Sequence, residues 1–130
     1  MKRILLLRTF ARWKEKNGLS DGALTKAVAE MEQGLIDADL GGYVFKKRVA
    51  FPGRGKRSGV RVIVATRKVD RWFFLYGFGK NERNNISDKE LEIFQEMAVD
   101  LLKLNDRQVD LALSSGEFVE VLNETKENHE

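Results

Sequence analysis

The side chains that could do chemistry in this 130-residue chain are mostly cationic, and the usual proton-transfer groups are scarce. The one histidine is His129, next to the last residue, so a paired-histidine mechanism is excluded. Cysteine is absent, so no thiolate nucleophile, disulfide or thiolate metal site is possible. No cluster of Asp, Glu and His has metal-ligand spacing, and neither a metal nor another cofactor is expected. Acid–base work must therefore fall to lysine, arginine, glutamate or tyrosine. Three groupings offer them. Lys46-Lys47-Arg48 lies in an alternating run that sends Lys47 to the face opposite the other two. Arg54, Lys56 and Arg57 stand among Gly53, Gly55 and Gly59, with Arg61 just beyond. Lys80-Asn81-Glu82-Arg83 follows an aromatic run containing Tyr76, where polar groups at a strand end are well presented. Glu82 is either a general base or an ion-pair partner of Arg83. Tyr76 either stacks on a base or packs in the core. The glycines do not make a nucleotide loop, because no GxxxxGK[ST] follows them.

The formal net charge of +3 hides an asymmetry. Residues 1–86 carry 19 Lys+Arg against 8 Asp+Glu, and residues 87–130 carry 4 against 12. A body with net +11 favours polyanions by counterion release, whereas a segment with net −8 does not. The acidic segment either lies across part of the basic surface or only exposes an acidic helix face. If the polyanion is RNA and is cleaved without metal, one group must accept the 2′-OH proton, another must protonate the leaving oxygen, and cations must hold the phosphate. Lys56 and Arg57 suit backbone clamping, with Lys56 also a candidate base. Lys46, Lys47 and Arg48 suit positioning.

Several elements must place these groups. Ile4–Leu7 reads as a buried strand, and Arg8 ends the apolar run too early for a signal peptide. Nothing approaches a membrane span, and a soluble cytoplasmic protein is expected. Thr9 would cap a first helix ending near Asn17-Gly18, and Ser20 a second carrying Leu24, Ala27, Val28 and Met31 on one stripe. Tyr43–Val49 alternates as a strand. Phe51–Gly59, with the one proline and three glycines, reads as a mobile basic loop. Val60–Thr66 and Trp72–Phe78 make a hairpin, in which Tyr76 and Phe78 share parity with Trp72 and Phe74. Ser87 with Glu90 is a capping box opening a long helix, Asn105 or Asp106 opens a shorter one, and Phe118–Leu122 is a last strand or docking segment. The expectation is an α+β domain over residues 1–122, with a core of 1–104, an extension of 105–122, and a polar, disordered tail at 123–130. Its helices would sit on one face of a small twisted antiparallel sheet.

The element order and three strings, Phe45–Ala50, Gly53–Ala65 and Phe73–Ile86, resemble the RelE/ParE superfamily. Together they resemble in particular its HigB-like subgroup, in which a GRGKxGGxR segment precedes a YGFxKNExxNI segment, over about residues 1–104. The resemblance implies a RelE-like fold with two N-terminal helices on the sheet, and a toxin held inactive by a cognate antitoxin, a helix-turn-helix protein. It also implies either ribosome-dependent cleavage of mRNA or, on the same scaffold, inhibition of DNA gyrase; an RNA-binding module without catalysis is a further alternative. The GxR position assigns Arg61 to the scissile phosphate. Lys56, Lys80 and Glu82 complete the candidate catalytic set, and Lys46, Lys47, Arg48, Arg54, Arg57, Asn81, Arg83 and Tyr76 the candidate RNA-binding set. The RelE pattern has an arginine and a tyrosine where this chain has Asn81 and Ser87, so that catalytic set does not carry over whole.

Overall fold

Where apolar residues recur at helical spacing behind a capping side chain, the chain is helical, and where β-branched and aromatic residues cluster, it is extended. The computed structural model describes residues 2–51 and 55–122, with residues 51 and 55–58 described by their backbone alone. The order is β1 (Arg3–Leu7), α1 (Arg8–Asn17), α2 (Asp21–Glu32), β2 (Ala38–Gly41), β3 (Val44–Phe51), β4 (Gly55–Thr66), β5 (Arg71–Gly79), α3 (Asp88–Leu102), α4 (Asp106–Ser115) and β6 (Phe118–Val121). This is the expected α+β fold.

Local signals set most helix ends. Ser20 accepts the Ala23 N–H, Ser87 and Glu90 form a full capping box, and Asn105 and Gln108 form another. Gly18 and Gly116 close α1 and α4 in the left-handed conformation that glycine takes without steric cost. Thr9 does not cap α1: the helix begins directly off β1, with Leu7 at the cap and no side-chain bond. The Arg8 N–H is instead taken by the Glu117 carbonyl.

The sheet runs β2-β3-β4-β5-β1-β6 and is antiparallel except where β1 pairs parallel with β5. Helices cover both of its faces rather than one. α1 and α2 pack Phe10, Leu24, Val28 and Met31 on Ile4, Leu6, Phe45, Val62, Val64 and Phe74. On the other side, α3 and α4 pack Phe94, Ala98 and Val109 on Leu5, Val44, Ile63, Ala65 and Phe73. The cause is legible in β5, where Trp72 to Leu75 are all buried: an unbroken apolar run needs cover on both sides.

Two further features correct the sequence reading. The expected loop Phe51–Gly59 is mostly strand, because Gly55 pairs with Phe51 and β4 continues from there. The glycines permit this ladder, since a Cβ at Gly59 would lie 2.5 Å from the Val49 carbonyl oxygen. β5 in turn contains a bulge, with Ile63 opposite Tyr76 and Val64 opposite Phe74. The extra residue, Leu75, flips the alternation. Trp72 and Phe74 therefore face α1 and α2, while Tyr76 and Phe78 face α3. Gly77 falls on the first side, where the Trp13 ring occupies the space of its missing side chain.

Candidate nucleic-acid interface

On the α3 side of the sheet, register brings the basic residues of β3 and β4 beside the aromatic end of β5. Lys46, Ile63 and Tyr76 form one cross-strand row, and Arg48, Arg61 and Phe78 the next. Neighbouring strands lie about 5 Å apart, so Arg48 and Arg61 are directly opposed like charges. Arg48 is exposed and Arg61 half-buried, and the Arg61 Nη1 is buried without a hydrogen-bond partner among the described residues. A buried donor left unmade costs about 1–3 kcal/mol. An anion between the two guanidiniums would remove both costs.

The turn after β5 builds a second part of the surface. Arg83 donates through Nη1 to the Tyr76 hydroxyl at 3.1 Å and through Nη1 and Nη2 to both Glu90 oxygens, at 3.0 and 2.6 Å. Its guanidinium lies 5.9 Å from the Tyr76 ring centre and 5.7 Å from that of Phe78. The Arg83 guanidinium, followed by the Ser87 backbone N–H, holds the Glu90 carboxyl at about 2, well below its usual value. The Arg83 pKa rises in return, chiefly through the same bond to Glu90. Because the Tyr76 oxygen accepts from Arg83, its own proton is free to donate elsewhere. Asn85 completes the cluster: its backbone oxygen accepts the Arg83 Nε at 3.0 Å, and its Oδ1 accepts the Ile86 N–H at 2.9 Å and the Lys46 Nζ at 3.4 Å.

Of the residues expected at the site, Lys46, Arg48, Arg61, Tyr76 and Arg83 come together on this face. Lys80 and Asn81 are exposed in the turn directly after β5. Since Gly79 pairs with Val60, that turn begins one residue from the Arg61 row. Glu82 does not pair with Arg83; its Oε1 accepts the Gly79 N–H at 3.0 Å and tightens the turn. Lys47 lies on the opposite face, 7% exposed, with its Nζ 2.9 Å from Glu30 of α2. Lys56 and Arg57 have their backbone in β4, but their side chains, like the whole of Arg54, lie outside the described residues. Arg61 stands in mid-strand rather than at a strand start. Glu90 and Asn85 were missed. The signal for Glu90 was its place in the capping box, read as structural only, and that for Asn85 was the end of the KNExxNI string.

What this arrangement can do is grip a phosphate between opposed arginines and present a tyrosine hydroxyl and an amide alongside. Among the described residues, no helix is long and apolar enough to cross a membrane. Residues 2–121 match the model of a family described as the RelE toxin of the RelE/RelB toxin–antitoxin system. No curated relative gives a match.

Proposed function

The chain belongs to the RelE toxin family of toxin–antitoxin systems, and from that premise we propose that it is a cytoplasmic, metal-independent endoribonuclease that cuts mRNA on the ribosome and stops translation. Family membership brings an antitoxin partner with it. We place the chain in the HigB-like branch on its GRGK and KNExxNI strings, and take the antitoxin to be a helix-turn-helix protein.

The single observation that carries the nuclease reading is the opposed pair Arg48 and Arg61, with an Arg61 Nη1 that has no partner among the described residues. In cleavage the 2′-hydroxyl loses its proton, its oxygen bonds to phosphorus, and the P–O5′ bond breaks as the 5′ oxygen gains a proton. Arg61 holds the negative charge that builds on the phosphate. Lys56, on the β4 arm, and Lys80 and Glu82, in the turn beside the Arg61 row, are the groups assigned to proton transfer. Lys46, Arg48, Arg57, Asn81 and Arg83 position the strand, and Tyr76 offers a ring edge and a hydroxyl donor to the nucleotide held there.

Induced expression without the antitoxin, followed by primer extension on cellular transcripts, tests this reading. Discrete cuts within translated mRNA are expected. Intact transcripts accompanied by DNA breaks would replace it with gyrase inhibition, and intact transcripts without breaks would leave an RNA-binding module.

A further inference from the structure

We propose that Asn85 reads a base of the bound RNA through its side-chain NH2, selecting a base whose edge carries a keto oxygen over one whose edge carries an amino group; this rests on the RNA reading above. The side chain of an asparagine has one acceptor oxygen and one nitrogen with two donors. In Asn85 the acceptor is committed. Oδ1 takes the Ile86 N–H at 2.9 Å and the Lys46 Nζ at 3.4 Å, which fixes which end of the amide is which. Nδ2 donates to no described residue, and the residue is exposed. The amide is therefore held at one end and offers donors at the other. Its place in the molecule gives those donors a target. Lys46, which it orients, stands in the row of Tyr76, and Arg83, bound to its backbone oxygen, lies over the Tyr76 ring. A nucleotide whose phosphate is held by the row of Arg48 and Arg61 would set its base against this cluster.

The chemistry of the free end decides the preference. Asparagine reads adenine with both ends of the amide, the oxygen accepting from N6 and the nitrogen donating to N7. With Oδ1 occupied, that pairing is closed. Two donors remain, which match the O4 of uracil or the O6 and N7 of guanine and face the amino groups of cytosine and adenine unfavourably.

Asn85→Asp separates this role from a structural one. An aspartate keeps an oxygen for the Ile86 N–H and Lys46 but turns the outward donors into an acceptor. The test is fluorescence anisotropy of the full chain with single-stranded oligo-U and oligo-C at low salt. These two probes have similar size and backbone and differ at the base edge. Wild type is expected to bind oligo-U about fivefold more tightly than oligo-C, the factor for one hydrogen bond. Asn85→Asp should reverse the order whatever its overall loss of affinity, and Asn85→Ala should bring the two together. A merely structural Asn85 would leave the ratio unchanged in the aspartate variant, and that result overturns the proposal. Equal binding of both probes by wild type overturns it as well. If wild type binds neither probe, the RNA reading itself fails, and the base preference with it.

Discussion

Two pairs of arginines stand face to face on neighbouring strands of this sheet, and their treatment is opposite. Arg3 of β1 is the register partner of Arg71 of β5, as Arg48 of β3 is of Arg61 of β4. At the first pair every charge is met. Arg3 donates to both Glu120 oxygens at 2.9 and 3.1 Å and to Asp110 at 3.1 Å, which drives its pKa upward. Arg71 pairs with Asp106 at 2.6 Å and donates to the Leu104 carbonyl. At the second pair no described carboxylate answers, and one guanidinium nitrogen is buried without a partner among the described residues. The acidic C-terminal segment makes this difference. Its Asp106, Asp110 and Glu120 neutralise the far end, and among its described residues Glu90 alone pairs with a cation of the proposed site, Arg83. Opposed arginines are thus not a hazard this fold leaves alone by accident. Where they serve structure it compensates them, and under the proposed function the uncompensated pair is where an outside anion would sit. β3 repeats the lesson within three residues, since Lys47 is buried against Glu30 while Lys46 and Arg48 face the site.

Removing one arginine from each pair should break the comparison most visibly. Arg61→Met, which keeps the apolar stem, should reduce RNA cleavage by about 100- to 1,000-fold, as when one preorganised donor to a transition state is lost. It should also raise the melting temperature by about 2–5 °C, because a like-charge contact and an unmade hydrogen bond disappear. A variant that loses both activity and stability would show Arg61 to be structural. Arg3→Met should do the reverse. It strands Glu120 and Asp110, and a loss of about 2 kcal/mol is expected in urea unfolding, with cleavage per folded molecule unchanged. Lost activity in folded Arg3→Met would mean that the two ends are coupled.

Features that a few neighbouring residues determine were legible in the sequence. Ser20, the box of Ser87 and Glu90, Asn105 and the left-handed Gly18 are local devices, and they sit where their spacing placed them. Features set by pairing were not. The Leu75 bulge moves Tyr76 and Phe78 to the site face, yet nothing in Trp72–Phe78 marks it, because it exists only relative to β4. β2 is four residues long and ends at a glycine, too short for alternation to reveal; its pairing with β3 makes it a strand. The Arg83 partner was sought at the adjacent Glu82 and found seven residues on at Glu90, since Glu82 is held by the Gly79 N–H. The basic character of the site was legible in composition. The opposition of Arg48 to Arg61 needed the register. The toxin family was legible in the strings Phe45–Ala50, Gly53–Ala65 and Phe73–Ile86, and the match of residues 2–121 bears it out.

Salt dependence sharpens the contrast more gently. If Arg48 contacts a phosphate, Arg48→Ala should flatten the plot of log affinity against log salt by about 0.7, the value for one phosphate contact on a single strand. Lys47→Met, on the other face of the same strand, should leave that slope unchanged. Equal slopes for all three proteins would remove Arg48 from the interface.

The smallest expected effect lies where the two treatments meet, at the carboxylate of α3 that pairs with Arg83. Glu90 titrates near 2 in the folded protein, held down by Arg83 and the Ser87 N–H, against about 4.5 for a free glutamate. A carboxyl whose folded value is depressed stabilises the fold above its unfolded value, and that contribution fades as pH falls from about 4.5 toward 2. Glu90 is about one-third exposed, so solvent screens the pair and the gain is modest. Urea unfolding of wild type and Glu90→Gln should therefore differ most at neutral pH, and the two should converge as the pH is lowered to about 2. Were the difference constant across that range, Glu90 would be stabilising the fold through its cap on α3 alone, and Arg83 would be as free of structural compensation as Arg48 and Arg61.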